Sequence, residues 1–293
     1  MLTLPSFAKI NWMLRVLGKR DDGYHEIFTV IQTISLHDTI AFEEDTSLEL
    51  TCNNRHIPIG RGNLIIKAAK ALRLHTGVNK GARMLLEKRI PSPGGLGGGS
   101  SNAAVTLIGL SKLWGIDVSR DDLRAIAADL GSDVPFFLTG GTAIATGRGE
   151  TIDPIGDITE ENMLVVTPRL RVSTRDAYAG LSAARLTKEG QKRILRVCRL
   201  EAGSLDLHQS VLKNDFEANL FSAHPEIRKV KETLLELGAF NAAMSGSGAS
   251  VYAVFDKKET RQAAIEALGH EPTWRKFVVA TISRSEYREA LRC

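Results

Sequence analysis

The sequence predicts an α+β protein of two domains, on three observations. Alternating apolar and polar residues mark a strand near the start, helical and strand periods follow one another through the second half, and 293 residues suit two domains of roughly 150 each. In the first half, Ala8, Ile10, Trp12, Leu14 and Val16 alternate with Lys9, Asn11, Met13 and Arg15, the period of a half-buried strand. One face is core, and the other projects Lys9 and Asn11 side by side. A turn at Arg20 to Gly23 leads to a second strand, Ile27 to Leu36.

Asn63 stands where a helix N-cap belongs, before Leu64, Ile65, Ala68, Ala71 and Leu72, with Gly77 beyond as the stop. Met84 to Ile90 reads as a strand. Ala103 to Trp114 has helical spacing that ends at Gly115, in a helix that starts immediately at the preceding glycines, and a further helix opens at Ser119 with Asp122 three residues on and stops at Gly131. A charged stretch, Gly156 to Asn162, separates this half from the next, and the division falls at 147/148. Beyond it, Met163 to Thr167, Ser250 to Phe255 and Phe277 to Ile282 read as strands, Ile227 to Leu237 and Arg261 to Leu268 as helices.

Composition excludes several classes. Hydrophobic residues make up 43% and charged residues 25%, values of a globular chain rather than a disordered or fibrous one. Lys and Arg number 38 against 34 Asp and Glu, a net +4 that suits anionic ligands but is far from a nucleic-acid-binding tail. Cys52, Cys198 and Cys293 have no metal-type spacing and cannot all pair, which points to a reducing compartment. No apolar leader segment follows the start, and the two long uncharged stretches, Ile90 to Ser111 and Leu237 to Phe255, are broken by Gly, Ser and Asn rather than filled with Leu and Ile. A cytoplasmic protein with no membrane span is expected.

The first of those stretches is the most informative. Pro91 to Ala104 reads PSPGGLGGGSSNAA, between an expected strand and an expected helix. A helix N-terminus leaves backbone N–H groups unpaired at the positive end of the dipole, and glycines let phosphate oxygens approach them. Gly94, Gly95, Gly97, Gly98 and Gly99 with Ser100 and Ser101 match neither the dinucleotide fingerprint nor the common P-loop, since the three-glycine spacing is broken and no Gly-Lys-Ser or Gly-Lys-Thr follows. A flexible turn with a serine cap is the plain alternative.

In its PxxxGLGGGSSNAA form this loop resembles that of the GHMP kinases, small-molecule kinases that bind ATP there. PSFAKIN (5–11), GKRDDGYHEI (18–27), LGSDVPFFLTGG (130–141) and AAMSGSGAS (242–250) are similar to one branch, whose acceptors are cytidine diphosphate-linked polyols of the non-mevalonate isoprenoid route. The resemblance implies a two-domain GHMP kinase fold. Its N-terminal half would be ribosomal-protein-S5-domain-2-like and its C-terminal half ferredoxin-like, with the active site in the cleft between them. It also implies ATP with Mg²⁺; since no cluster of carboxylates with metal spacing stands out, the ion is assigned largely to nucleotide and water, and no protein ligand is named. The loop residues Pro91, Gly94, Gly95, Leu96, Gly97, Gly98, Gly99, Ser100, Ser101 and Asn102 would wrap the triphosphate, Asn63 would reach the adenine pocket, and Gly246, Ser247 and Gly248 would approach from the second domain.

By the same resemblance Asp133 is the general base and Lys9 its partner, a cation beside a carboxylate favouring the charged form and stabilising a developing alkoxide. Asn11 would touch the polyol, His25 and Tyr24 would read the cytosine, and Tyr178 would be the second aromatic wall. Residue by residue, plainer roles stand beside these: a helix cap for Asp133 and Asn63, a solvated strand face for Lys9, ordinary packing for Tyr178, a tight turn for Gly246 to Gly248. The partner is a small molecule, without nucleic acid or membrane, and the chain a monomer or homodimer. Another GHMP kinase, for mevalonate, homoserine or a sugar, is the alternative enzyme; a non-catalytic RNA-binding module is the alternative of a different class, distinguishable by steep salt dependence.

Overall fold

The computed structural model describes residues 1–181 and 188–292; Cys293 lies outside them, and Cys52 and Cys198 are free thiols. Two long strands, β1 (Leu2–Lys19) and β2 (His25–Asp45), pair antiparallel across the expected turn, where the Arg20 guanidinium holds Asp22 and the buried Glu26. After β3 (Leu48–Cys52), the chain forms α1 (Leu64–Thr76), β4 (Gly81–Glu87), α2 (Gly98–Trp114) and α3 (Arg120–Leu130). A 3₁₀ turn, Pro135–Leu138, precedes β5 (Thr142–Gly147) and β6 (Thr151–Pro154). The second half runs through β7 (Met163–Thr167), α4 (Thr174–Ala179), α5 (Lys188–Gly203), β8 (Lys213–Asn214), α6 (Glu217–Ala223) and α7 (Pro225–Glu236). It continues with β9 (Asn241–Met244), β10 (Val251–Val254), α8 (Lys258–Ala267), β11 (Arg275–Val279) and α9 (Arg284–Ala290).

The first sheet has the order β3-β4-β2-β1-β8, with β5 also on β2 and β6 on β5. It therefore takes β6 from beyond residue 147 and β8 from deep in the second half. The second sheet, β11-β7-β10-β9, is antiparallel throughout and has the 4-1-3-2 strand order of a ferredoxin-like unit.

The sheets lie face to face between two helical layers. One face of the first sheet (Ile31, Ile40, Phe42, Met84, Ala143) packs on α1, α2 and α3 through Leu72, Leu107 and Ile126. Its other face (Ile10, Trp12, Phe28, Val30, Ile144) packs on Met163, Val165, Tyr252 and Val254 of the second sheet. The alternate residues Leu164, Val166, Val251 and Ala253 turn away onto Ile227, Val230 and Leu234 of α7 and Ala264 of α8. This explains why β1 is not half exposed, as its alternation predicts: helices cover one side and the second sheet the other, so Lys9 and Asn11 are buried as well.

Helix ends follow the expected chemistry. Asn63 caps α1 by accepting the Ile65 N–H, Ser119 caps α3 by accepting the Asp122 N–H, and Gly77 and Gly115 end α1 and α2 in left-handed conformations. Several strand boundaries move, β2 the furthest, since it runs on to Asp45. The strand expected at 84–90 ends at Glu87, because the Asp38 carboxylate takes the N–H groups of Arg89 and Ile90 (2.7 and 2.8 Å) and draws the chain out of the ladder. The helix whose apolar spacing shows from Ala103 starts at the glycines as expected, at Gly98, and takes in half of the glycine-serine loop.

Candidate active site

The glycine loop is held at both ends. At its entry the fully buried Asp38 pairs with Lys88 at 2.8 Å, and burial lowers the Lys88 pKa while Asp38 opposes the shift. At its exit, Leu96 turns into the core and its carbonyl accepts the Lys9 N–H at 3.0 Å. Gly97 caps α2 at φ 68° with no side-chain hydrogen bond, so the first N–H groups of a helix 17 residues long carry no side-chain cap. They border a cavity of about 420 Å³ walled by Pro91 to Ser100, by Lys9, Asn11, Ser132, Asp133 and Arg148, and by Tyr178, Phe216 and Gly246 to Gly248.

Lys9 stands at the centre, on β1. Its Nζ donates to Asn11 Oδ1 at 2.7 Å and lies 3.9 Å from Asp133 Oδ2. Burial lowers the Lys9 pKa, and the Asp133 charge opposes that. Asp133 follows α3, with 41% of its side chain exposed toward the cavity. It is not the cap of the turn at Pro135; Val134 holds that position, and no side chain caps the turn.

Asn11 does more than share the face of Lys9. Its Oδ1 also accepts the Gly246 N–H at 2.9 Å, and its Nδ2 donates to Thr29 Oγ1 at 2.8 Å. The second glycine motif thereby touches β1 directly. Ser245 Oγ donates to the Gly95 carbonyl at 2.9 Å, and the Ser250 N–H to the Gly94 carbonyl at 3.2 Å, so the two glycine motifs lie against each other. Close approach explains two of the glycines: a methyl group at Gly95 (φ 72°) would collide with the Ser245 carbonyl, and one at Gly97 would lie 2.9 Å from Lys9 Cγ and 2.8 Å from Phe137. Ser247 Oγ shares a hydrogen bond with Thr174 Oγ1 at 3.0 Å.

Tyr178 of α4 lines the cavity, and His25 at the start of β2, itself outside the lining, stacks on it, ring centroids 5.0 Å apart at 24°. Tyr178 meets Phe216 edge-on at 4.8 Å. Burial lowers the His25 pKa with help from Lys19, which favours the neutral, donor-and-acceptor imidazole; burial and the Asp133 charge push Tyr178 up to about 12.

Not every expected residue faces the cavity. Ser101 and Asn102 turn inward and receive the Ser6 hydroxyl (2.8 and 2.7 Å), because the helix that starts at Gly98 rotates them into its buried face. Asn63 uses both ends of its amide locally, on the Ile65 N–H and the Pro58 carbonyl, while the next residue, Leu64, lines the wall. Tyr24 is 55% exposed outside the lining, beneath the Arg148 guanidinium, 5.0 Å from the ring centroid. Arg148, Thr29, Thr174 and Phe216 escaped sequence reasoning; each sits in an unremarkable segment without a motif. Among the described residues, no group of three or more His, Cys, Asp or Glu could hold a metal ion, and no helix is long and apolar enough to cross a membrane.

A bare helix start behind a glycine loop, with a buried lysine and a carboxylate across a cleft, defines a small-molecule kinase. Comparisons with known proteins agree. Residues 63–141 match the GHMP kinases N terminal domain and residues 183–272 the GHMP kinases C terminal domain. The 4-diphosphocytidyl-2-C-methyl-D-erythritol kinase of Thermoanaerobacter pseudethanolicus is 39% identical over 267 residues, 91% of this chain and 92% of that one. A crystal structure of 4-(cytidine 5'-diphospho)-2C-methyl-D-erythritol kinase superposes with a TM-score of 0.76 at 33% identity, covering 96% of this chain and 99% of that one. Homoserine kinase from Cytophaga hutchinsonii (TM-score 0.69, 19% identity, 97% and 96% covered) shares the fold. The chain belongs to the 4-diphosphocytidyl-2-C-methyl-D-erythritol kinase family of GHMP kinases.

Proposed function

We propose that this chain phosphorylates the 2-hydroxyl of 4-diphosphocytidyl-2-C-methyl-D-erythritol, giving the 2-phosphate and ADP on the non-mevalonate route to isoprenoid precursors. The observation that carries this is one cavity with a bare helix start on one wall, Tyr178 on another with His25 stacked behind it, and Lys9 with Asp133 in the same lining. Asp133 takes the proton from the acceptor hydroxyl. Lys9, fixed by Asn11, places positive charge beside the oxygen that becomes negative, and little beyond positioning and charge is required of the protein. The N–H groups of Gly98, Gly99 and Ser100 would hold the phosphates of ATP, which supplies the transferred group. The loop fits that role because Gly97 and Gly98 allow close approach and the helix start has no side-chain cap. Mg²⁺ is assigned to the nucleotide and water, with no protein ligand.

His25 offers the cytosine edge a donor or an acceptor, with Tyr178 and Tyr24 as aromatic surfaces. Asn11 serves the acceptor by orienting Lys9, and Gly246 to Gly248 close the site from the second lobe. Ser101, Asn102 and Asn63 support the donor side by shaping helix starts. The lobes 1–147 and 148–293 belong to the same reading, with β6 and β8 as strands that cross the division. A cytoplasmic setting is part of it too.

Coupled ADP release tests the proposal, with this acceptor beside mevalonate, homoserine and galactose. Activity confined to the first is expected, and Asp133→Ala should lower turnover at least a hundredfold while ATP binding stays within about twofold. Turnover of another alcohol in preference would overturn the acceptor, and near-normal turnover by the variant would overturn the mechanism.

A further inference from the structure

Among the described residues, two cations line the cavity, Lys9 and Arg148, and they differ in how far their charge is already engaged. Lys9 is buried, bound to Asn11 and close to Asp133. Arg148 leaves β5 at the turn toward β6. Its backbone N–H donates to Glu150 Oε2 at 2.6 Å, and its side chain, 32% exposed, meets Glu150 Oε1 only at 3.5 Å, beyond a good hydrogen bond. The guanidinium lies over the Tyr24 ring, and the following residue, Gly149, backs onto Ser132 and Asp133. Arg148 therefore stands between the aromatic residues at one end of the cavity and the carboxylate at its centre.

We propose that Arg148 holds the diphosphate of the acceptor substrate. This rests on the cytidine diphosphate reading. An acceptor with its base at His25 and Tyr178 and its hydroxyl at Asp133 must lay two phosphates along the wall between. On that wall Arg148 is the cation among the described lining residues; the donor phosphates face the glycine loop, whose backbone N–H groups serve them. A planar guanidinium matches two oxygens of a diphosphate, and the Tyr24 ring beneath it keeps the fork oriented. Exchanging the loose Glu150 contact for phosphate oxygens requires only a small side-chain movement. Arg148 thus sets acceptor specificity by charge, where His25 sets it by the base.

Calorimetric binding of CDP and of cytidine tests this, with a non-hydrolysable ATP analogue filling the donor site. The wild-type chain is expected to bind CDP at least about tenfold tighter than cytidine. In Arg148→Ala that preference should fall below about twofold while cytidine affinity and the KM for ATP stay within about twofold of wild type; Arg148→Lys should keep an intermediate preference and serves if the alanine variant folds poorly. An undiminished CDP preference in Arg148→Ala, or a KM effect confined to ATP, would overturn the inference and leave the kinase reading standing. Failure of the wild-type chain to bind either ligand would instead overturn the cytidine reading, and this inference with it.

Discussion

Asn11 shows how much one side chain can organise. A single Oδ1 accepts from the Lys9 ammonium and from the Gly246 N–H, so the buried cation and the second glycine loop are located by the same atom. Removing it leaves a buried ammonium and a buried N–H without that acceptor, a cost of about 1–3 kcal/mol or more. Asn11→Ala is therefore expected to lower stability in urea unfolding by roughly that amount and to lower kcat about a hundredfold, with the KM for ATP nearly unchanged. Unaltered kcat would show that Lys9 is oriented by something else. The sequence could place Asn11 beside Lys9, two residues apart on a strand, but not reveal that its amide is engaged within the protein, since Gly246 is 235 residues away. Asp133 was similarly readable from its motif, whereas Arg148 and Phe216 reach the site only through folding.

At the scale of elements, caps and stops were the most legible features. Asn63, Gly77, Gly115, Ser119 and Gly131 all stand where local chemistry puts them, because capping is decided within one turn of chain. Short elements such as β6, β8 and α4 carry too few residues for a period to register, and α5 and α9 are polar enough to pass for loop. The start of α2 at the glycines shows no helical period of its own, because glycines and serines favour loops locally, and tertiary packing of Gly98, Ser101 and Asn102 overrides that preference. The loop glycines are consequently unequal. Gly95→Ala meets both a positive φ and the Ser245 carbonyl and should cost well over 1 kcal/mol, while Gly99→Ala, whose methyl would make ordinary contact with Leu64 at 3.6 Å, should leave stability within about 0.5 kcal/mol. Thermal unfolding of the two variants checks the contrast; equal losses would contradict it.

For the whole molecule, the decisive fact is that the second half reaches back into the first. β8 adds to β1, Thr281 bridges Ile34, and α9 returns across the first lobe. Its Tyr287 is buried, packs beside Phe7, approaches Gly140 too closely for any larger residue there, and donates its hydroxyl to the Phe137 carbonyl at 2.5 Å. Tyr287→Phe should cost about 1 kcal/mol, and Tyr287→Ala about 3–5 kcal/mol, in urea unfolding monitored by circular dichroism. A negligible loss in the alanine variant would mean that the helix is not needed for the lobe it covers. The same contact sets an order of events during synthesis. The turn that follows Asp133 is made 150 residues before the tyrosine that clamps it, so over that span of synthesis the Asp133 carboxylate sits on an unfinished support. A nascent chain that has not yet reached Tyr287 lacks this clamp however well its glycine loop has formed.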